Sequence, residues 1–344
     1  MKLGLGAGYW SSGPPAGIIE NLKVAEEMGF DSVWTAEAYG SDAITPLAWW
    51  GANTSKIKLG TSIAQMSART PAATAMAAMT LDHLSGGRFI LGIGASGPQV
   101  VEGWYGQPYP RPLERTREYI EIMRQIFARE KPVEFHGKHY DMPYTGANGM
   151  GLGKPLKSTV HPLRSDIPIY LAAEGPKNVA LAAEIADGWL PLFFSPKADK
   201  DYRASLNNGF SKPNAHKTAA EFEVASIVSI IVTDDIEAGA NMVRPMLALY
   251  VGGMGAKGAN FHYDVIARLG YEDECARIQQ LYLSGKKAEA MAAIPLEMVQ
   301  DIALIGPPGK IKDDLAMWKE TCLTTMIVSG PPAMLRQVAE IVLD

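Results

Sequence analysis

The run LGIGASGPQVVEGWYG sets glycines at 92, 94 and 97, a G-x-G-x-x-G spacing that lets backbone come close to a bound group, with Ser96 and Gln99 as polar neighbours. Three readings follow: a dinucleotide-binding turn, a glycine-rich loop that only turns the chain, or a loop whose backbone approaches a flat ring. The first fits badly, because that fingerprint belongs to a first βα turn and runs straight into a helix. Here Pro98 and further glycines intervene before the helix expected from Leu113. A second run, AAEGPKNVALAAEIADGW, places Glu174, Gly175, Pro176, Lys177 and Asn178 where a strand becomes a helix. Amides at a helix N-terminus, with a lysine beside them, make an anion site whose natural occupant is a phosphate. Plain strand-to-helix punctuation is the alternative. In DSVWTAEAYG, Glu37 stands just past a strand. A carboxylate there can accept a hydrogen bond from a heterocycle or move a proton; it can equally cap the next helix or pair with a lysine.

Other chemistries lack their residues. His136 and His139 have the spacing HxxH, but the segment reads as a hairpin, in which an i, i+3 pair does not converge on a metal. No Gly-x-Ser-x-Gly elbow, no HExxH and no phosphate-binding lysine loop occurs, so a hydrolase has no nucleophile. Cys275 and Cys322 are far apart and outside any CxxC, so we expect neither a disulfide nor a zinc site and assign a reducing, cytoplasmic setting.

The elements that must position these runs alternate. Short apolar runs rich in β-branched residues, at about 3–7, 32–35, 57–61, 89–93, 167–172, 188–192, 223–232 and 325–329, read as eight strands. Helical periodicity fills 17–28, 45–54, 71–84, 113–129, 177–186, 235–249 and 332–343. The third helix has the sharpest ends, with Thr70 as cap, Pro71 at the first position and Gly86 with Gly87 as the stop. Its Met76 and Met79 read as core. Persistent βα alternation predicts a single α/β domain over 1–344, a (β/α)8 barrel. Two insertions interrupt it, a loop with one hairpin at 133–166 and a helical stretch at 252–295. Both are expected to enter through βα loops, on the face where barrels place their sites.

Composition agrees with one large core: 344 residues, 47% apolar, net charge -5. The start MKLGLGAGYW is too short an apolar run for a signal peptide, and no stretch of about 18 apolar residues suggests a membrane span. Lysine and arginine are scattered and the net sign is negative, which argues against nucleic acid as a partner.

The segments GFDSVWTAE, TPLAWWGANTSKIKLGTSI, MTLDHLSGGRFILGIGASGPQVVEGWYG, PLERTREYIEIMR, PIYLAAEGPKNVALAAEIADGWLP and TTMIVSGPP resemble the luciferase-like monooxygenase superfamily. Within it they are most similar to the branch that uses the deazaflavin coenzyme F420, related to methylenetetrahydromethanopterin reductases. The likeness covers most of residues 1–195 and returns in the last βα unit. It implies a barrel with the cofactor ring at the C-terminal ends of the strands, a non-proline cis peptide at Ser62–Ile63 against the ring, and a homodimer. It further implies Glu37 facing the ring or its reacting substrate, Gln65 and Gln99 near the pyrimidine end or side chain, Ala64 among the cofactor contacts, and Gly175 to Asn178 on the phosphate. Trp10, Tyr39 and Trp104 lie in loops able to line a substrate pocket. The expected reaction is hydride transfer between the deazaflavin and a small organic substrate. A riboflavin phosphate (FMN) monooxygenase and a non-catalytic cofactor-binding relative are the alternatives. Sugar-phosphate dehydrogenases of the superfamily carry a histidine beside the strand-two carboxylate; this chain has Ala38.

Overall fold

The computed structural model describes the whole chain except residues 9, 11, 256, 257, 259 and 344. Eight strands lie parallel: β1 Lys2–Gly6, β2 Ser32–Thr35, β3 Lys58–Thr61, β4 Phe89–Gly94, β5 Ile169–Ala172, β6 Gly188–Leu190, β7 Glu223–Ile227 and β8 Thr325–Val328. Their hydrogen-bonded order is β3-β2-β1-β8-β7-β6-β5-β4, and a further β3–β4 pairing closes the ring. This is the expected α/β barrel, with all eight strands where the sequence puts them.

Inside the ring a second apolar layer forms from Trp34, Ile90, Tyr170, Leu190, Ala225 and Ile327. Trp34 is the largest of these, and its neighbours make room for it. A Cβ on Gly60 would lie 2.3 Å from its ring and one on Gly4 2.7 Å from its Nε1. A bulky residue on β2 therefore fixes small residues on both flanking strands. Between strands and helices runs the main core, which includes Leu3, Leu59, Leu91, Ile169 and Val224.

Helix Pro71–Ser85 has the predicted ends: the Thr70 side chain accepts from Ala73 N–H, Pro71 opens it, and Gly86 takes φ 65°. Met79 is core, but Met76 is 62% exposed, because it falls on the outer stripe that the small, largely apolar helix does not advertise. Sequence reading also overlooks helices Asp199–Phe210 and Pro308–Lys319 and a strand, Ala303–Gly306. The stretch read as one strand at 223–232 is two. It breaks at Val228, and Ser229–Val232 leaves the barrel to pair with Ala303–Gly306.

The two insertions lie at opposite ends of the barrel. Residues 133–166 follow helix Pro112–Ala128 and precede β5, so they form an αβ connection rather than the expected βα loop. Arg164 ties this stretch to buried Asp82 (3.1 Å from Nε) and to Phe89 O at the start of β4 (2.8 Å), on the face away from the site. Its hairpin, Phe135–His136 against Asp141–Met142, lies along the outside of helix Pro112–Ala128. There His136 Nδ1 meets Asp141 at 2.6 Å and His139 Nε2 lies 3.6 Å from Glu114, so the two imidazoles face different carboxylates. The second insertion follows β7 and is helical in its described residues, with Phe261–Ala267, Glu272–Leu283 and Lys287–Ala292. Together with helix Ile236–Gly253 it buries a core of its own around Val243, Leu247, Ile266 and Ile278. No helix among the described residues is long and apolar enough to cross a membrane.

Candidate functional site

At the C-terminal ends of β2, β3 and β4 the chain builds a tightly bonded floor. After Thr61, strand β3 stops pairing with β4, and the backbone swings across Gly92. The Thr61 hydroxyl donates to Gly92 O at 2.6 Å and accepts from Gly92 N–H at 2.9 Å. The next peptide, Ser62–Ile63, is cis, as the family likeness implies. Ala64 and Gln65 then rejoin the sheet beside Ile93 and Gly94. Gly92 and Gly94 therefore serve this crossing: a Cβ on Gly92 would sit 1.8 Å from Thr61 O, and one on Gly94 3.0 Å from the Ile63 side chain. Gly97 caps a short helix, Pro98–Gly103, in a stretch expected to be irregular. That helix removes one argument against a dinucleotide turn, but the closed barrel excludes such a fold on its own.

Glu37 is buried, and its partner is an arginine rather than the lysine the sequence suggested. Arg69 grips both carboxylate oxygens, Nη1 to Oε2 at 2.8 Å and Nη2 to Oε1 at 2.7 Å. Gln65 N–H adds a third bond to Oε2 at 2.7 Å, and Glu37 N–H donates to Ile63 O at 3.1 Å. The next helix is capped by Asp42, which accepts from Ile44 and Thr45 N–H. The hydrogen bonds with Glu37, and its charge, hold the Arg69 guanidinium above its ordinary range despite partial burial.

Gln65 is 4% exposed, and its amide has one defined orientation. Its Nε2 donates to Glu37 O at 3.0 Å and to Ser96 Oγ at 3.2 Å, and a carbonyl oxygen can only accept. Its Oε1 is buried without a partner, a costly state that a ligand N–H or O–H would relieve. Ser96 takes φ 59° and is fixed from behind by Tyr109 OH, which donates to its carbonyl at 2.7 Å. Tyr105 OH donates to Ala38 O at 2.8 Å; burial and the charge of Glu37 push its phenol up to about 12, so it stays protonated at neutral pH.

Beyond β5, Gly175 caps helix Pro176–Ile185, whose first residue has no N–H. Among the described residues the N–H groups of Gly175 and Lys177 have no hydrogen-bond partner, and the Lys177 side chain is exposed beside them. Asn178 turns inward, its Nδ2 3.4 Å from Ala172 O. Glu174 turns away from this cluster: His262 of the second insertion meets its Oε1 at 3.1 Å, and Arg268 donates to its carbonyl at 2.9 Å. Gln99 is exposed and, among the described residues, makes no hydrogen bond to Gln65 or to the helix N-terminus. At the rim, Tyr39 and Trp104 are 60% and 63% exposed with ring centroids 6.5 Å apart, and the Trp10 carbonyl lies against Gly40.

Sequence reasoning missed Arg69, Tyr105, Tyr109 and His262. A signal for the first was present: Arg69 is the sole charged residue between Lys58 and Asp82, and Glu37 the sole one between Asp31 and Asp42. Lone opposite charges in apolar surroundings are buried only as a pair.

The chain belongs to the luciferase-like monooxygenase family, whose model matches residues 3–325. It is 53% identical, over 99% of either chain, to a Mycobacterium tuberculosis protein provisionally named as a coenzyme F420-dependent oxidoreductase. It is 28% identical to the 5,10-methylenetetrahydromethanopterin reductase of Archaeoglobus fulgidus over 90% of this chain and 88% of that one. In fold it resembles the coenzyme F420-dependent tetrahydromethanopterin reductase of Methanopyrus kandleri (TM-score 0.82, 24% identity, 99% and 98% covered). An F420-dependent secondary alcohol dehydrogenase has the same fold (TM-score 0.76, 19% identity, 100% and 99% covered).

Proposed function

We propose that the chain is an F420-dependent oxidoreductase that passes a hydride between the deazaflavin and a small organic substrate. The observation that carries this is the buried, unpartnered Gln65 Oε1 at the barrel mouth. It is a fixed acceptor waiting for a donor such as a ring N–H. The full-length relationship to a protein named for F420 selects the ring. When bound, F420 supplies a carbon centre that takes or gives a hydride and does not activate oxygen.

The residues present fit that group. Ser62, Ile63, Ala64 and Gln65 form the floor beneath a ring. Ser96 and Gly97 line its side, with Gln99 at the edge. The unpaired amides of Gly175 and Lys177, with the helix behind them and the lysine charge, take the phosphate, and Pro176 and Asn178 shape the turn. Glu174 is set aside from this role, because its Oε1 meets His262, its Oε2 is buried, and its charge would repel an anion. Trp10, Tyr39 and Trp104 flank the entrance, where their rings keep water from the reacting carbon of an apolar substrate.

Purified protein is expected to quench F420 fluorescence with a Kd in the micromolar range or below, and Lys177→Ala to weaken it by roughly tenfold, a charge-assisted bond's worth. Retention of FMN with no F420 binding would shift the assignment to a flavin monooxygenase. Tight F420 binding without turnover on alcohols, aldehydes or enones would leave a cofactor-binding relative.

We also assign a cytoplasmic homodimer. Trp49 and Met76, on the packed helices Ile44–Gly51 and Pro71–Ser85, are 66% and 62% exposed, two large apolar side chains that a second copy would cover. Sedimentation should give twice the chain mass, and Trp49→Lys with Met76→Glu should give the single chain; a wild-type monomer would end this assignment.

A further inference from the structure

We propose that Arg69 is the positioning residue of the mouth, acting through Glu37, and that Glu37 is a fixed anchor for Gln65 rather than the group that moves a proton. The inference rests on the proposed function for its kinetic readout alone.

Glu37 is 5% exposed, and both its oxygens are spent on the Arg69 fork and the Gln65 N–H. The fork and the amide turn both oxygens toward protein donors and fill three of the roughly four acceptor sites of the carboxylate. Its backbone is spent too. The Glu37 N–H holds Ile63 O, and the Glu37 carbonyl accepts from Gln65 Nε2 and so fixes which way that amide is turned, with Oε1 buried on its other side. One residue thus touches the bulge at Ile63 and at both ends of Gln65. Arg69 sets that residue's side chain, and is itself held by Tyr119 OH, which donates to its carbonyl at 3.1 Å. Asp42 lies 4.0 Å from the guanidinium and adds to the field on it. Nothing else among the described residues meets the Glu37 carboxylate.

Three variants separate anchor from proton carrier: Arg69→Met, Arg69→Lys and Glu37→Gln, with the Arg69→Met/Glu37→Gln double. In cofactor-free protein, amide hydrogen exchange at Gln65 should speed up in Arg69→Met. F420 affinity should fall by about tenfold and kcat by roughly 100-fold, the scale of a small misplacement of the reacting groups. Arg69→Lys keeps the charge without the fork and should recover only part of this. Because the two residues act as a unit, Glu37→Gln and the double variant should resemble Arg69→Met, and the pH profile of kcat should keep its shape in all of them.

The proposal falls if Glu37→Gln removes one limb of the pH profile and lowers kcat with unchanged F420 affinity while Arg69→Met stays near wild type, the pattern of a general base. Unaltered Gln65 exchange in Arg69→Met also overturns it. If Arg69→Met does not fold, Arg69→Lys gives the same comparison. Should the wild-type protein not bind F420 at all, the proposed function fails, while the exchange experiment still decides the role of the pair.

Discussion

Gly92→Ala is expected to destabilise the barrel by about 3 kcal/mol or more, the upper range for forcing volume into a packed core, and to abolish F420 binding with it. The added methyl would lie 1.8 Å from Thr61 O and 2.7 Å from a Leu190 methyl. The nearer atom is backbone, so no side-chain rotation relieves the clash. Relief requires β3 to move off β4, which breaks both Thr61–Gly92 hydrogen bonds and carries the Ser62–Gln65 segment away from Ser96. Gly309→Ala supplies the contrast. It lies in helix Pro308–Lys319 with nothing within 4 Å of the added carbon, and alanine there is expected to stabilise by up to about 1 kcal/mol. Urea denaturation of the two variants should therefore move in opposite directions. Equal stability of Gly92→Ala and wild type would mean that the crossing at Thr61 is not a tight one.

The contrast shows what a sequence can and cannot disclose about glycines. The G-x-G-x-x-G spacing at 92, 94 and 97 invites a reading in terms of a ligand, yet the barrel uses two of the three for the chain's own crossing. Spacing reports that backbone comes close to something without saying whether that something is a cofactor or Thr61. The barrel itself is legible, because eight short apolar runs, most of them rich in β-branched residues, alternating with helical segments leave few alternatives. Boundaries failed where a pattern continued through a break: 223–232 reads as one strand since Val228 is as apolar as its neighbours, and only the pairing of Ser229–Val232 with Ala303–Gly306 divides it. Helix Asp199–Phe210 was overlooked because DKDYRASLNNGF buries little beyond Leu206 and Gly209, leaving a weak apolar stripe. The placement of 133–166 at the N-terminal ends is contained in the repeat itself. A stretch that follows a helix in a βα repeat returns to the N-terminal ends of the strands. In the site, Glu37 can be chosen from its place after β2, whereas Gln65 enters only through the family resemblance, because a Thr-Ser pair at the end of β3 carries no signal of its own. Their mutual bonds, and the role of Arg69, depend on a juxtaposition of segments about 30 residues apart that no local spacing records.

Gln65→Glu should convert F420 binding from weakly to steeply pH-dependent. At neutral pH the substitution replaces the Nε2 donor, which now meets Glu37 O at 3.0 Å and Ser96 Oγ at 3.2 Å, with an oxygen that repels the Glu37 carbonyl. It also sets a second carboxylate beside that of Glu37 in a buried place. Desolvation and the like charge both disfavour ionisation, so the introduced carboxyl titrates above its ordinary range in the folded protein. The sign then follows. Below the ordinary carboxyl range the group is protonated in folded and unfolded chains alike and carries no penalty. As pH rises toward the raised value the unfolded chain ionises first, and stability falls until the folded protein ionises too. Affinity tracks the same protonation: a carboxylic acid O–H can donate to Glu37 O and leave the second oxygen as a neutral acceptor, whereas a carboxylate cannot. F420 binding should be weaker than wild type by about 100-fold at pH 8 and recover as pH is lowered, on the scale of a mispaired buried charge. Gln65→Leu, which removes donor and acceptor without adding charge, should weaken binding equally at every pH. Fluorescence titrations of the two variants at pH 5 to 8 make the comparison, and parallel pH dependence in both would show that the Gln65 amide does not face the Glu37 carbonyl in the folded protein.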